Sequence, residues 1–258
     1  MIDAHTKLCC VIGHPVTQSL SPTMHNAAYE KLGLNYAFLA FDITNVFGFI
    51  NAMRILNIRG TSVTIPYKLE VMKYLDKIDA VAKEIGAVNT IVNDDGKLTG
   101  YNTDWIGAVK ALEEKTNLKG KRIAILGTGG AARAIAYGLK KKDAYVFAFD
   151  RFKLSQFDKL TQSQQFDIIL NATPIGMSPD DQNSPITNKR ITNNHIVFDI
   201  IFAPHQTKLL RDAQKKGAAI VYGYKMLLYQ AAEQFKLFTG QDASLEVMEK
   251  SIEEVVRL

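Results

Sequence analysis

The chain has 258 residues, of which 47% are hydrophobic and 22% charged, and its formal net charge is +5. These values are typical of a folded globular protein with one large domain or two medium ones, and they exclude a disordered or fibrous chain. The mild basic excess would suit anionic ligands, but the basic residues are scattered and do not predict nucleic-acid binding. The one basic cluster, at 140–142, lies where a helix should end and complements the helix dipole.

The two cysteines, Cys9 and Cys10, are adjacent within an apolar run. Neighbouring strand residues point to opposite faces, so a disulfide between them is geometrically unfavourable and we expect two buried thiols. No basic-then-apolar signal stretch opens the chain, and no apolar run reaches the roughly 18 residues that a membrane span needs. We therefore expect a cytoplasmic protein without a membrane partner.

The first hundred residues alternate short apolar runs with helical patterns, which predicts a parallel sheet. The predicted elements, in chain order, are a strand at KLCCVIG (7–13), a helix at SPTMHNAAYEKLG (21–33), a strand at YAFLAFDI (36–43), a helix at NVFGFINAMRILN (45–57) and a strand at GTSVTIP (60–66). In the following segment GAVNTIVNDDGKLTGYNTD, the turn signal Asp95-Gly96 lies between two extended runs and predicts a hairpin.

A helix at about 107–116 leads out of this first unit, whose end lies between Tyr101 and Gly120. The rest of the chain continues the alternation: strand 122–126, helix 130–142, strand 145–149, strands in FDIILNAT and HIVFDII, and two final helices in MLLYQAAEQFKLFTG and SLEVMEKSIEEVV. This regular alternation predicts an α/β protein.

The strongest local signal is the glycine turn Gly127-Thr128-Gly129-Gly130-Ala131-Ala132, between a predicted strand and a predicted helix. Glycines at the first and third positions allow a sharp turn and let a pyrophosphate approach backbone N–H groups at the helix start. The small Ala132 permits close packing of helix on strand. We interpret the turn as a dinucleotide-binding site; the alternative is a purely structural glycine turn.

The end of the second strand of this unit should select the cofactor. Asp150, about 20 residues beyond the glycine turn, would accept hydrogen bonds from the ribose 2′-OH of NAD and repel the 2′-phosphate of NADP. Arg151 argues the other way, because a guanidinium pairs well with phosphate. Alternatively, both residues form only a solvated strand end.

Four serine, threonine and lysine side chains lie near predicted strand ends in the first unit. Ser19 and Ser21 flank a leucine at a helix start, where two hydroxyls would suit a carboxylate, although Ser21 also suits a capping role. Thr64 and Lys68 follow the strand of SVTIPYK. Taken alone, Lys68 would be a solvent-exposed cap of that strand.

Three further polar residues have ordinary structural explanations when taken singly. Asn89 would be a turn residue, Asp104 the N-cap of the next helix, and Gln230 a surface position of an amphipathic helix. As a set with the hydroxyls, however, they suit a polyol ligand that carries a carboxylate. An alcohol oxidised by hydride transfer must also lose a proton, which a lysine next to an aspartate can carry.

These residues resemble the shikimate dehydrogenase family over nearly the whole chain. The matching motifs, in the family's order, are IGHPVTQSLSPTMHNAAY, SVTIPYK, IGAVNTI, GYNTDWIG, GTGGAAR, NATPIGM and MLLYQAA. The resemblance implies reversible reduction of 3-dehydroshikimate to shikimate, usually with NADPH, in chorismate and aromatic amino-acid biosynthesis. It also implies a substrate domain at 1–103, completed by C-terminal helices at 225–258, and a doubly wound Rossmann-type NADP domain at 104–224.

The resemblance implies a role for each matching position. Lys68 and Asp104 would be the catalytic pair. The substrate would be held by Ser19, Ser21, Thr64, Asn89, Asp104 and Gln230. The cofactor would be held by Gly127, Thr128, Gly129, Gly130, Ala131, Ala132, Arg133, Asp150, Arg151, Thr173, Gly223 and Met226. No metal is expected, and the protein would act on a small molecule as a monomer or homodimer.

Four positions depart from the family's usual residues. The family often has Asn where Ser62 stands, which is a mild change because Ser also occurs there. It usually has Tyr where Phe202 stands, and because that tyrosine hydroxyl reaches the substrate, the resemblance implies one contact fewer here. It usually has Gly where Lys225 stands, near the expected nicotinamide position. Asp-Arg-Phe at 150–152 replaces the common Asn-Arg-Thr, which weakens the case for strict NADP preference.

The departures leave three alternatives. The nearest is a quinate/shikimate dehydrogenase that uses NAD or both cofactors. A nucleotide-sensing regulator that has lost catalysis would keep the fold but should lack Lys68 or Asp104, and both are present. A metal enzyme using His14 and His25 fits no trusted ligand spacing.

Overall fold

The computed structural model describes residues 2–150 and 166–256. The chain folds into two compact units, one formed by Met1–Thr103 and Leu228–Leu258 and the other by Asp104–Leu227. The second boundary falls inside a continuous helix, Gly223–Thr239. Among the described helices, none is both long and apolar enough to cross a bilayer.

The first unit is built on a six-stranded sheet with the order β2-β1-β3-β5-β6-β4. Its strands are β1 (Lys7–Gly13), β2 (Tyr36–Asp42), β3 (Gly60–Val63), β4 (Lys77–Ile78), β5 (Thr90–Asp94) and β6 (Lys97–Tyr101). Its helices are α1 (Ser21–Lys31), α2 (Val46–Ile55), α3 (Ala80–Ile85) and α8 (Leu245–Val256), with a short 3-10 helix at Val71–Tyr74. Strand β1 is parallel to β2 and β3, which confirms the predicted parallel sheet.

The predicted hairpin is also confirmed. Strands β5 and β6 pair antiparallel, and β5 also runs antiparallel to β3. At the turn, Asp95 has φ 52° and Gly96 φ 87°. Positive φ at both central residues is the geometry of a two-residue hairpin turn whose twist matches that of its strands.

An aromatic layer fills the core of the first unit beneath α1. His25 is fully buried and stacks on Phe38, with ring centroids 4.3 Å apart, while Phe235 and Phe238 lie at 6.2 and 5.9 Å. Gly60 makes room for this layer, because a Cβ there would lie 2.2 Å from the ring of Phe238. The last turns of the 223–239 helix are therefore part of the first unit's core.

The thiols and the sheet edge of the first unit are both protected. Cys9 and Cys10 are buried free thiols, as predicted, and burial raises the pKa of each to about 12.

On the edge strand β2, the Asn26 amide donates to the Phe38 carbonyl at 2.9 Å and accepts from its N–H at 2.8 Å. The side chain of Asn26 thus replaces a neighbouring strand at that point.

The second unit carries a five-stranded sheet with the order β11-β10-β9-β7-β8, and all its described pairs are parallel. The strands are β7 (Arg122–Leu126), β8 (Tyr145–Phe149), β9 (Ile168–Asn171), β10 (Ile196–Asp199) and β11 (Ala219–Val221). The helices are α4 (Asp104–Glu113), α5 (Gly130–Lys141), α6 (Lys208–Lys215) and α7 (Gly223–Thr239), with a 3-10 turn at Asn188–Arg190. Helices alternating with parallel strands confirm the predicted Rossmann-type fold.

Helix α4 begins and ends three residues earlier than the sequence pattern suggested. A carboxylate in the first turn complements the helix dipole, so Asp104 can start the helix itself. The far end stops at Glu113 because the next N–H groups fold back onto carbonyls of the last turn, as Lys115 does to Leu112 at 2.9 Å.

The buried histidine predicts a measurable acid sensitivity. Burial lowers the pKa of His25 from 6.5 to about 3, and neither ring nitrogen makes a hydrogen bond of ordinary geometry, although the nearby Gln234 amide opposes the shift. The unfolded chain binds more protons below pH 6.5, so stability falls as pH falls. Between pH 6.5 and 5 the expected loss is about 2 kcal/mol.

His25→Phe should remove this loss, because a phenyl ring can stack on Phe38 without carrying a proton. We expect the free energy of unfolding, measured with urea at several pH values, to depend less on pH between 6.5 and 5 in the variant. Exposed His5 provides the control, as His5→Phe should keep the wild-type slope. The prediction would be contradicted if the free energy of unfolding depended on pH equally steeply in wild type and in His25→Phe.

Candidate active site

Two serine hydroxyls lie at the start of α1. Leu20 occupies the N-cap position and supplies no side-chain hydrogen bond, so the expectation that Ser21 caps the helix is wrong. Ser21 is instead the first helical residue, and its N–H donates to Ser19 Oγ at 3.3 Å. In residues 2–150 and 166–256, the Ser21 hydroxyl has no hydrogen-bond partner. The helix start therefore leaves this hydroxyl available for a ligand.

Thr64 and Lys68 lie in the turn that ends β3. The Thr64 N–H donates to the Ile12 carbonyl at 2.9 Å, and the Lys68 carbonyl accepts from Val88 N–H at 2.8 Å. Between them, buried Tyr67 donates its hydroxyl to the Ile43 carbonyl at 2.5 Å. The turn is anchored at three points, and the half-buried Lys68 side chain is not a solvent-exposed strand cap.

Asn89, Thr103 and Gln230, here called the Asn89 cluster, come together in the first unit. The Thr103 N–H donates to Asn89 Oδ1 at 2.8 Å, and Asn89 Nδ2 donates to Thr103 Oγ1 at 2.9 Å and Gln230 Oε1 at 3.4 Å. All three residues are buried, so Gln230 is not a surface position of α7. The backbone donor identifies the oxygen of the Asn89 amide, so its NH2 group faces Gln230.

Asp104 directly follows the Asn89 cluster in the chain, as the residue after Thr103. It is buried, with 4% exposure, and it is the first residue of α4 and of the second unit. Lys68 belongs to the first unit. The expected catalytic pair is thus divided between the two units.

The glycine turn has the geometry that a dinucleotide requires. Gly127 has φ +115°, and a Cβ there would lie 2.8 Å from the Ala172 carbonyl oxygen. Gly129 is the N-cap of α5 with φ −70°, no side chain caps the helix, and nothing lies within 4 Å of the position a Cβ would take. Open space beside uncapped helical N–H groups suits a pyrophosphate.

The turn also lies at the right place in the sheet. β7 has β8 on one side and β9 on the other, so the strand order reverses at its carboxyl end, where ligands bind in doubly wound folds. Thr128 and Arg133 are exposed there, whereas Ala132 is buried beneath the helix. Asp150 follows β8 and is half-buried. Arg151 and Phe152 lie outside the described residues.

A buried polar network holds the turn after β9. Thr173 donates from N–H and Oγ1 to Asn171 Oδ1 at 3.0 and 2.7 Å, and Asn171 Nδ2 donates to Asp199 Oδ1 at 3.0 Å. Asp199 also accepts from Ile201 N–H at 3.1 Å and Thr207 Oγ1 at 2.7 Å. Strand ends β9 and β10 thus fix the position of Thr173. Burial raises the pKa of Asp199 to about 6.

The remaining expected cofactor residues lie at the start of α7. Gly223 permits a close approach, because a Cβ there would lie 2.4 Å from the Ile201 carbonyl oxygen, and Met226 is buried. Lys225, the departure from the family pattern, pairs with Glu114 at 3.5 Å and lies over the ring of Tyr224 at 5.6 Å.

The two histidines considered as metal ligands have different surroundings. His14 Nδ1 pairs with Asp42 at the surface, whereas His25 is enclosed by the aromatic layer. Across the part of the chain that the structure describes, no three His, Cys, Asp or Glu side chains come together as a metal site.

Comparison with known proteins decides the family. The family pattern of the shikimate dehydrogenase substrate binding domain matches residues 11–91, and that of the shikimate 5′-dehydrogenase C-terminal domain matches 223–253. A protein of Methanobrevibacter smithii named shikimate dehydrogenase (NADP(+)) is 43% identical over 100% of both chains. The chain belongs to the shikimate dehydrogenase family.

Solved structures of shikimate dehydrogenases share the fold. A shikimate dehydrogenase in complex with NADP+ matches with a TM-score of 0.92 and 42% identity, covering 99% of this chain and 98% of the other. Shikimate 5-dehydrogenase from Thermus thermophilus, in complex with NADP(H) and shikimate, matches with a TM-score of 0.88 and 32% identity over 96% and 99%.

Sequence reasoning missed several polar partners of the expected site residues. Thr103 bonds to Asn89 within the Asn89 cluster, Thr90 bonds to Asn89 and accepts from Gln234, and Asp199 supports Asn171. One signal was available: Gln234 lies four residues after Gln230, so both share one helix face. A weaker signal was present for Asn171 and Asp199, which are polar residues at the ends of buried strands.

The Asp199 network predicts a pH dependence of stability. Its raised pKa means that the folded state binds more protons than the unfolded chain between about pH 4 and 6, so this group's contribution to stability falls as pH rises. The difference in unfolding free energy between wild type and Asp199→Asn should fall by about 1 kcal/mol from pH 5 to 7. Exposed Asp180→Asn serves as the control, and a constant difference for Asp199→Asn would exclude the effect.

Proposed function

We propose that this protein is an NADP-dependent shikimate dehydrogenase, which catalyses the reversible reduction of 3-dehydroshikimate to shikimate. The observation that carries the proposal is the full-length match, at 43% identity, to a relative named shikimate dehydrogenase (NADP(+)). The Asn89 cluster in one unit and the glycine turn in the other support it, since one suits a polyol and the other a dinucleotide.

The first unit supplies all the proposed substrate contacts except that of Asp104, which begins the second unit. Ser19 and Ser21 bind the carboxylate, helped by the positive end of α1. Thr64 and the Asn89 cluster bind ring hydroxyls, and Asn89 presents an NH2 donor to them. Asp104 accepts from a hydroxyl at the reacting end.

The cofactor residues come from the second unit. The turn from Gly127 to Arg133 would hold the pyrophosphate of the cofactor, and Asp150 and Arg151 would hold the adenosine ribose. Thr173, Gly223 and Met226 would hold the nicotinamide half. A bound nicotinamide supplies or accepts the hydride. Asp150 favours NAD, so a quinate/shikimate dehydrogenase that uses NAD is the second candidate.

Lys68 carries the proton, with Asp104 as its partner. Reduction of the ketone adds a hydride to carbon and a proton to oxygen, and oxidation removes both. The Lys68 ammonium gives that proton in one direction and its amine receives it in the other, while the Asp104 carboxylate orients the reacting hydroxyl.

An absorbance assay of the reduced nicotinamide tests the proposal. We expect turnover of shikimate with NADP, and a fall in kcat of about 10²- to 10⁴-fold in Lys68→Ala, as for removal of a general acid or base. Exposed Lys73→Ala, in the 3-10 helix that follows the turn containing Lys68, should retain wild-type kcat. Better turnover with quinate and NAD would favour the second candidate, and no turnover with any pair would refute both.

A pair of glycine variants separates folding from cofactor binding. Gly127→Ala should lower unfolding free energy by about 1–3 kcal/mol, because alanine is strained at positive φ and its Cβ meets Ala172. Gly129→Ala should unfold at nearly the wild-type temperature, yet bind NADP at least about tenfold more weakly, since its methyl group occupies the pyrophosphate's space. Calorimetric binding and thermal unfolding measure both effects; unchanged NADP affinity in Gly129→Ala would contradict the cofactor assignment.

A further inference from the structure

Gln234 is a buried polar residue whose partners lie on β3 and at the start of β5 in the first unit. It is 1% exposed, in a helix whose neighbouring Phe235 belongs to the aromatic core. Its Oε1 accepts from Ser62 Oγ at 2.7 Å, and its Nε2 donates to the Asn89 carbonyl at 3.1 Å and Thr90 Oγ1 at 2.9 Å. Both amide hydrogens are therefore used, and the orientation of the amide is defined.

The hydrogen bonds continue from Gln234 to the side chain of Asn89. Thr90 Oγ1 accepts from Gln234, so its own hydrogen is directed to Asn89 Oδ1, at 2.7 Å. A hydroxyl can donate or accept, and here the amide of Gln234 sets which it does. The chain Ser62–Gln234–Thr90–Asn89, here called the relay, runs in one donor-to-acceptor direction through buried residues.

The relay determines what Asn89 can offer. Asn89 Oδ1 receives two donors, from Thr90 and from the Thr103 N–H. Its oxygen is therefore engaged within the fold. One hydrogen of its NH2 group is donated to Thr103 Oγ1 at 2.9 Å, and the other points toward Gln230 Oε1 over the longer distance of 3.4 Å, so this second hydrogen is the one that a ligand oxygen would receive. A ligand at the Asn89 cluster would therefore meet an amide donor that is held in place by buried hydrogen bonds. Such bonds are electrostatically stronger than the same bonds in water, because the dielectric constant of the protein interior is low.

We propose that Gln234 is a positioning residue for the substrate, acting through Thr90 to hold the Asn89 amide as a donor toward a ring hydroxyl oxygen. This inference rests on the proposed function, and it extends that site to a residue that does not itself contact the ligand. Loss of Gln234 leaves the Thr90 hydroxyl free to rotate away from Asn89, so substrate affinity should fall while the chemical step is preserved.

Gln234→Met tests this, because methionine keeps the volume and removes every hydrogen bond. We expect the KM for shikimate to rise about tenfold, the kcat to change by less than about threefold, and the KM for NADP to stay as in wild type. Shikimate should also raise the melting temperature of the variant less than that of wild type. Lys236→Met, on the same helix with its side chain 56% exposed, is the matched control and should behave as wild type.

Thr90 variants test the route. Thr90→Val breaks the relay without changing shape and should raise the KM for shikimate as Gln234→Met does, whereas Thr90→Ser keeps the hydroxyl and should restore it. In the double variant Gln234→Met/Thr90→Val, the KM should be no higher than in the more affected single variant, because both act through one route. Should Gln234→Met not fold, the two Thr90 variants decide.

Two outcomes would overturn the inference alone. One is a folded Gln234→Met with wild-type KM for shikimate in an active enzyme, and the other is a double variant whose two KM effects multiply. If the wild type neither turns over nor binds shikimate, the proposed function falls, and this inference with it. A merely structural role for Gln234 would lower the melting temperature without changing the ratio of the two KM values.

Discussion

Helix α7 meets two opposite demands along its buried length, and the first unit depends on both. Phe235 and Phe238 enter the aromatic layer around His25, which requires a dry and closely packed environment. Gln230 and Gln234 lie among these apolar side chains and must find hydrogen-bond partners there, since an unpaired buried amide is costly. They find them on Asn89, Thr90 and Ser62, so the position of the helix fixes the position of the polar site.

The second unit meets a comparable constraint at the carboxyl ends of its strands. The backbone of Gly127 passes so close to Ala172 that no side chain fits between them, which brings the turns after β7 and β9 together. Asn171 and Asp199 satisfy the polar groups that this close packing buries. These contacts leave open space and uncapped N–H groups at the start of α5. A negatively charged group can bind there without rearrangement of the backbone.

The fold could be predicted from the sequence wherever the signal was local. The apolar runs of β1, β2 and β7, the Asp95-Gly96 turn and the glycine turn each depend on a few adjacent residues. Helix α3 and strand β4, six and two residues long, gave no usable period and were not predicted. Helix α4 was displaced because an aspartate at a helix start can be the N-cap or the first helical residue.

The site residues divide in the same way. Positions with a motif around them, such as Lys68 and Asn89, could be identified, and their assignment to a substrate remains a prediction. The residues that orient them could not, because the contacts join distant parts of the chain. Gln234 and Thr90 are 144 positions apart, and Gln234 and Ser62 are 172 apart. The spacing of Gln230 and Gln234 places both on one helix face, but no pattern in a single sequence identifies their partners, which the hydrogen bonds of the folded chain do.

The division of the first unit between the two ends of the chain has a consequence for its synthesis. The ribosome releases residues 1–103 long before α7 and α8, yet Phe235 and Phe238 complete the core against which β2 and α1 pack. The second unit, by contrast, is one continuous stretch and is complete when residue 227 has emerged. The residues of the second unit are thus all present before those of the first, and the nascent N-terminal segment keeps part of its apolar surface uncovered until the C-terminal helices emerge.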